Sequence, residues 1–110
     1  MATISLLQQT KEIEAHIGVI IAEYGVDTLD FAERELFATI KRQIIDARLD
    51  VRDYEYADTR TEQLAYAAAG RKRLDQVRRY IVKASEQGLF SAVDVAQLSA
   101  NLEIISKQLS

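Results

Sequence analysis

Residues 29–54 read LDFAERELFATIKRQIIDARLDVRDY. Within them Leu29, Ala32, Leu36, Ile40, Ile44, Ala47, Val51 and Tyr54 recur by threes and fours. That spacing places one apolar stripe along an α-helix, which repeats every 3.6 residues. Phe37 widens the stripe. Acids lead (Asp30, Glu33, Glu35) and bases follow (Lys41, Arg42, Arg48). This order complements the helix macrodipole, positive at the N-terminus and negative at the C-terminus. The stretch therefore predicts a long amphipathic helix from about Leu29 to Tyr54 or Tyr56.

The flanking sequence has the same character. On the N-terminal side, Leu6, Ile13, Ile17, Ile20 and Tyr24 form a stripe in a helix expected over about Thr3 to Glu23. Tyr24-Gly25-Val26-Asp27 interrupts it. Gly25 can take the left-handed cap conformation, and Asp27 or Thr28 can N-cap the next helix. On the C-terminal side, Thr59-Arg60-Thr61-Glu62 matches a capping box, so a third helix is expected to start at Thr59. One continuous helix kinked near Tyr56 is the alternative. The third helix runs to about Gln87, with Leu64, Ala67, Ala68, Leu74, Val77, Ile81 and Ala84 facing inward. Gly70 inside it costs about 1 kcal/mol relative to alanine, so either another backbone approaches closely there or the helix is soft. Gly88 ends this helix and Ser91 caps a fourth, in which Val95, Leu98, Leu102, Ile105 and Leu109 form a heptad seam.

The 110 residues contain no proline and only four glycines. Proline is the residue that helix interiors tolerate least, so its absence agrees with long helices and short turns. Four such helices predict an all-α, antiparallel up-down-up-down four-helix bundle forming a single domain over residues 1–110.

The sequence holds no catalytic constellation. There is no cysteine, hence no disulfide and no thiolate metal site. His16 is the single histidine, with Glu12 one turn before it; a di-metal bundle needs two Glu-x-x-His motifs, and none occurs. No Gly-x-Ser-x-Gly elbow or Gly-rich phosphate loop is present. A non-enzymatic protein without cofactor, metal or small-molecule substrate is expected. The N-terminus has neither the basic nor the apolar region of a secretory signal, and the longest apolar run is Ile17 to Ala22. With a net charge of −3, these features lead us to expect a cytoplasmic protein with no membrane partner.

Charge is distributed unevenly. Residues 1–57 carry a net −5 and residues 58–110 a net +2. In the third helix Arg71, Lys72, Arg73, Arg78, Arg79 and Lys83 face a single acid, Asp75. On a helix Lys72, Gln76, Arg79 and Lys83 share one stripe, with Arg71, Asp75 and Arg78 beside it. The cluster is either an electrostatic footprint for a phosphate backbone or acidic partner, or a face neutralised by the acidic second helix. Tyr54, Tyr56 and Tyr66 surround the turn between the middle helices. Tyrosine combines apolar area with a hydrogen-bonding tip; Tyr54 is expected to pack, and Tyr56 and Tyr66 to form an interface. The run Ala65, Ala67, Ala68, Ala69, Gly70 permits close helix approach, and self-association is expected.

Residues 73–109, RLDQVRRYIVKASEQGLFSAVDVAQLSANLEIISKQL, resemble the last two helices of a four-helix-bundle family. That family comprises the accessory variability determinants of diversity-generating retroelements and the proteins encoded in intervening sequences of 23S ribosomal RNA genes. The shared features are the stripe Leu74, Val77, Arg78, Ile81, the turn Gly88 to Ser91, and a last helix with Leu98, Leu102 and Ile105 inside. The stretch from Phe37 through Leu49 and Val51 is similar to the family's long second helix. The resemblance implies a homo-oligomer, a pentameric barrel, that binds a reverse transcriptase with its RNA. It carries over Arg78, and more loosely Arg71, Arg79 and Lys83, as contact residues. A structural or regulatory bundle docking a protein partner, with no nucleic-acid role, is the alternative function.

Overall fold

The structure, a computed structural model, describes residues 4–109, apart from the side chain of Val26. It is an all-α four-helix bundle. Helix α1 spans Leu6–Ala22, α2 Phe31–Glu55, α3 Arg60–Glu86 and α4 Ala92–Gln108. A short 3-10 turn, Val26–Thr28, lies between α1 and α2. Each helix packs on its neighbours in sequence, and α4 closes back on α1. The result is the up-down-up-down arrangement, in which short connections leave successive helices antiparallel. The middle helices have 25 and 27 residues and the outer ones 17 each.

Side chains supply the caps that free backbone N–H groups at helix starts require. Thr59 accepts from the Glu62 N–H at 3.1 Å and Ser91 from the Asp94 N–H at 3.1 Å. The helix is interrupted at residues 56–59, so a continuous kinked helix is ruled out. Gly88 adopts φ +75°, and its N–H bonds to the Ser85 carbonyl while the Leu89 N–H bonds to that of Ala84. This paired closure of the last turn needs a left-handed residue, which glycine supplies at no steric cost.

The first turn differs from expectation. Thr3, the expected start of the first helix, lies outside the described residues; Ser5 caps α1 instead, accepting from the Gln8 N–H. Gly25 is extended (φ −73°, ψ 143°) rather than left-handed. The cap of α2 is Asp30, not Asp27 or Thr28. Asp30 and Glu33 exchange hydrogen bonds of 2.8 and 2.9 Å in a complete capping box. The 3-10 turn consumes the residues that the sequence offered as caps.

The core is continuous along the bundle. Ile17, Ile40, Ile44, Leu74, Ile81, Leu98, Leu102 and Ile105 are almost fully enclosed. Each such side chain contributes about 1.5–3 kcal/mol before chain entropy is subtracted. At one end Tyr24, Phe37 and Phe90 stack, with ring centroids 5.4 and 6.1 Å apart, and the Tyr24 hydroxyl donates to the Leu89 carbonyl. Three positions of the expected stripes lie outside. Ala32, Leu64 and Ala68 are exposed. Leu64 and Ala68 lie in the rows of α3 that carry Arg71, Arg79 and Val82, on the side turned away from the core, whereas Ala67 is buried. Ala32 lies in the first turn of α2, opposite Gln87 at the end of α3, and no further helix covers it.

Candidate interaction surfaces

The bases of α3 divide according to their neighbours. Arg73 alone among them turns to α2: its guanidinium reaches Gln43 Oε1 at 3.1 Å, Asp46 at 3.7 Å and Asp50 at 3.9 Å. Arg71 donates to the carbonyl of Leu109 at the end of α4 and remains exposed. Arg78 and Arg79 share Asp75, each at 2.9 Å. Lys72 and Lys83 are exposed and form no ion pair with a described residue. The acidic second helix therefore neutralises one base of the cluster. Arg71, Lys72, Arg78, Arg79 and Lys83 are exposed on α3, with Asp75 between them and Glu103 of α4 and Glu35 of α2 at the borders.

Asp50 sits where α2 meets Gly70 of α3. Burial raises its pKa above the ordinary carboxylate value, Arg73 lowers it, and the neighbouring charges of Asp46 and Asp53 raise it. Burial dominates because removing a carboxylate from water penalises its charged form. Asp50 Oδ2 is enclosed without a hydrogen bond.

Tyr56 is 73% exposed at the tip of the α2–α3 hairpin, while Tyr66 is half-buried. Tyr54 packs against the core, as its position suggested. His16 pairs across the bundle rather than with Glu12: its Nε2 lies 3.4 Å from Asp94 Oδ1 of α4. The i, i+4 spacing made Glu12 a candidate, but α4 brings a nearer carboxylate. Among the described residues no three His, Asp or Glu side chains converge as metal ligands would. No helix among the described residues is long and apolar enough to cross a membrane.

Two surfaces escaped the reading of the sequence. Helices α1 and α4 each carry three charged residues in 17, whereas α2 carries 11 in 25 and α3 10 in 27. The bundle thus has a charged side and a charge-poor side. On α4, Val93 is 75% and Ile104 50% exposed, with Ala96 and Ala100 exposed between them. This helix is apolar towards the core and apolar outward, a pattern typical of helices covered on two sides. The second surface is the seam between α1 and α2, where Arg34, Lys41 and Arg48 of α2 line one edge. Their seven-residue spacing was a legible signal, hidden by the larger cluster on α3.

Comparison of the chain with protein-family models, curated proteins and solved structures returns no match. The resemblance to the retroelement accessory family accordingly rests on the quoted motifs alone.

Proposed function

We propose that this protein is a non-enzymatic adaptor that self-associates and holds an anionic partner against α3. The observation that supports this most is the exposure of Arg71, Lys72, Arg78, Arg79 and Lys83, none of which pairs with α2. From Arg71 to Lys83 the cations extend over about 18 Å of helix. On a protein of net charge −3, such a local concentration of positive charge steers anionic partners to one face. By the resemblance, the partner is a reverse transcriptase with its RNA, and the site of action is the cytoplasm. The outer stripe of α4, Val93, Ala96, Ala100 and Ile104, is the surface for self-association. Tyr56 and Tyr66 at the hairpin tip supply further contact area.

A second reading is a bundle that docks a protein and no nucleic acid. Asp75 favours it: this carboxylate stands between Arg78 and Arg79. It repels a phosphate and suits a protein surface of mixed charge.

One titration separates the two. A labelled short single-stranded RNA is mixed with the wild type and with the triple variant R78E/R79E/K83E at low and high salt. Under the first reading the wild type binds, salt weakens binding steeply, and the triple variant loses it while circular dichroism stays helical. RNA binding that is absent from the wild type, or that survives the triple change, overturns the nucleic-acid role. Light scattering gives the subunit number: a monomer at all concentrations ends the self-association reading.

A further inference from the structure

The seam between α1 and α2 is an open groove. One stretch, about 450 Å³, is floored by Ala15, Gly18, Ile44 and Ile45. A second, about 360 Å³, continues it past Lys41 to Ile21 and Ala38. Arg34, Lys41 and Arg48 edge the groove from α2, and Lys11 from α1. From Arg34 to Arg48 the groove is about 21 Å long at 1.5 Å per helical residue. Its one lining acid is Glu14, which lies 3.3 Å from Arg48. Lys11, Arg34 and Lys41 form no ion pair with a described residue. An apolar floor with a cationic rim thus occurs on a chain of net charge −3.

Gly18 adds an independent observation. It lies inside α1, where glycine is less favourable than alanine because it has more backbone freedom to lose. A Cβ built there meets nothing within 4 Å. Nothing inside the bundle therefore requires the missing side chain, in contrast with Gly70, which makes room for Leu109. At Gly18 an approaching backbone meets no side chain on the groove floor.

We infer that this groove binds an amphipathic helix of a partner protein, about four turns long, with acidic residues flanking its apolar face. Its apolar side chains sit on Ala15 and Ile45, and its backbone crosses closest at Gly18. Its carboxylates meet Lys11, Arg34 and Lys41. This is helix-in-groove recognition, with anchors at i, i+3, i+4 and i+7. A second copy of the chain paired symmetrically through this seam would bring the same cations together, which charge complementarity disfavours. The site is separate from the α3 face and does not depend on it.

The test uses the full chain and a labelled 14-residue peptide with leucines at helical spacing and flanking glutamates. Its isomer with lysines in place of the glutamates is the control. Fluorescence anisotropy should show saturable binding of the glutamate peptide only. The double variant K11E/K41E should weaken it at least about tenfold, a loss of two rim contacts at about 0.7 kcal/mol each. Gly18→Leu should abolish it with the helical spectrum retained. Gly18→Ala should raise the urea midpoint of the free protein yet weaken the peptide. R79E/K83E on α3 should bind the peptide as the wild type does. Absence of binding to the wild type overturns the inference, as does equal binding of the lysine isomer or indifference to Gly18→Leu. A dimer in light scattering that Gly18→Leu dissociates would assign the groove to a second copy, and would also overturn it.

Discussion

Gly70 of α3 seats Leu109, the residue that follows α4: a methyl group on Gly70 would stand 3.1 Å from Leu109 Cδ1 and 3.7 Å from Asp50 Cβ. Leu109 is 1% exposed, and Arg71 holds its carbonyl. The glycine inside α3 is thus explained by a side chain that packs over it, not by softness of the helix. Gly70→Ala is expected to stay within about 1 kcal/mol of the wild type, since the gain in helix propensity offsets a small displacement of Leu109. Gly70→Val leaves Leu109 no place and should cost about 1–3 kcal/mol. Urea unfolding of both variants checks the pair.

The arginines of α3 should separate cleanly by stability. Arg73→Ala removes the cation beside Asp46 and Asp50 and leaves the enclosed Asp50 Oδ2 without compensation. A loss of about 1–3 kcal/mol is expected. Arg79 is 76% exposed in its side chain and pairs only within α3. Its replacement by alanine should change stability by less than about 0.5 kcal/mol. Equal effects in denaturant unfolding would contradict this division between an inter-helix arginine and an exposed one.

Asp50 should make stability depend on pH in a defined direction. Its pKa in the fold lies above the ordinary aspartate value of 3.8. Over the interval between the two values the native state keeps a proton that the unfolded chain has released. Stability from this group is therefore present at low pH and lost as pH rises through the raised value. Asp50→Asn removes that loss. The difference in unfolding free energy between wild type and variant should shrink as pH falls toward the ordinary carboxylate range. At neutral pH the variant should remain within about 1 kcal/mol, since Arg73 keeps Asp46 and Gln43. A difference that does not vary with pH would refute the assignment.

Gly88 is the described residue with positive φ, at +75°. Any L-residue there brings its Cβ against the backbone, so Gly88→Ala is expected to cost about 1–2 kcal/mol. The measurement is thermal or urea unfolding. Open space surrounds the site, so a null result could not be attributed to relief of crowding elsewhere and would count against the turn geometry.

Much of the architecture was legible because it depends on residues within a few positions of one another. The periodic stripes, the caps Thr59 and Ser91, and the stop at Gly88 are local devices, and each appears in the structure. The α1–α2 connection was read less well, since Asp27, Thr28 and Asp30 all suit a cap and only the path of the chain selects Asp30. The cationic cluster on α3 was also visible, but not its division. Which bases are tied down depends on which acids of α2 face them, and that register is set by packing across two helices.

Four amphipathic helices, their order and most of the positions that turn inward follow from the chain alone, because helical period and capping are short-range properties. Which surfaces are left over follows from how the helices pack. The rotation of α3 against its neighbours turns Ala67 inward and leaves Leu64 and Ala68 outside. How α1 lies on α2 places Lys11 beside the stripe of Arg34, Lys41 and Arg48, and opens the floor at Gly18. A surface is defined by where neighbouring helices stop and how they cross, and those distances join residues far apart in the chain.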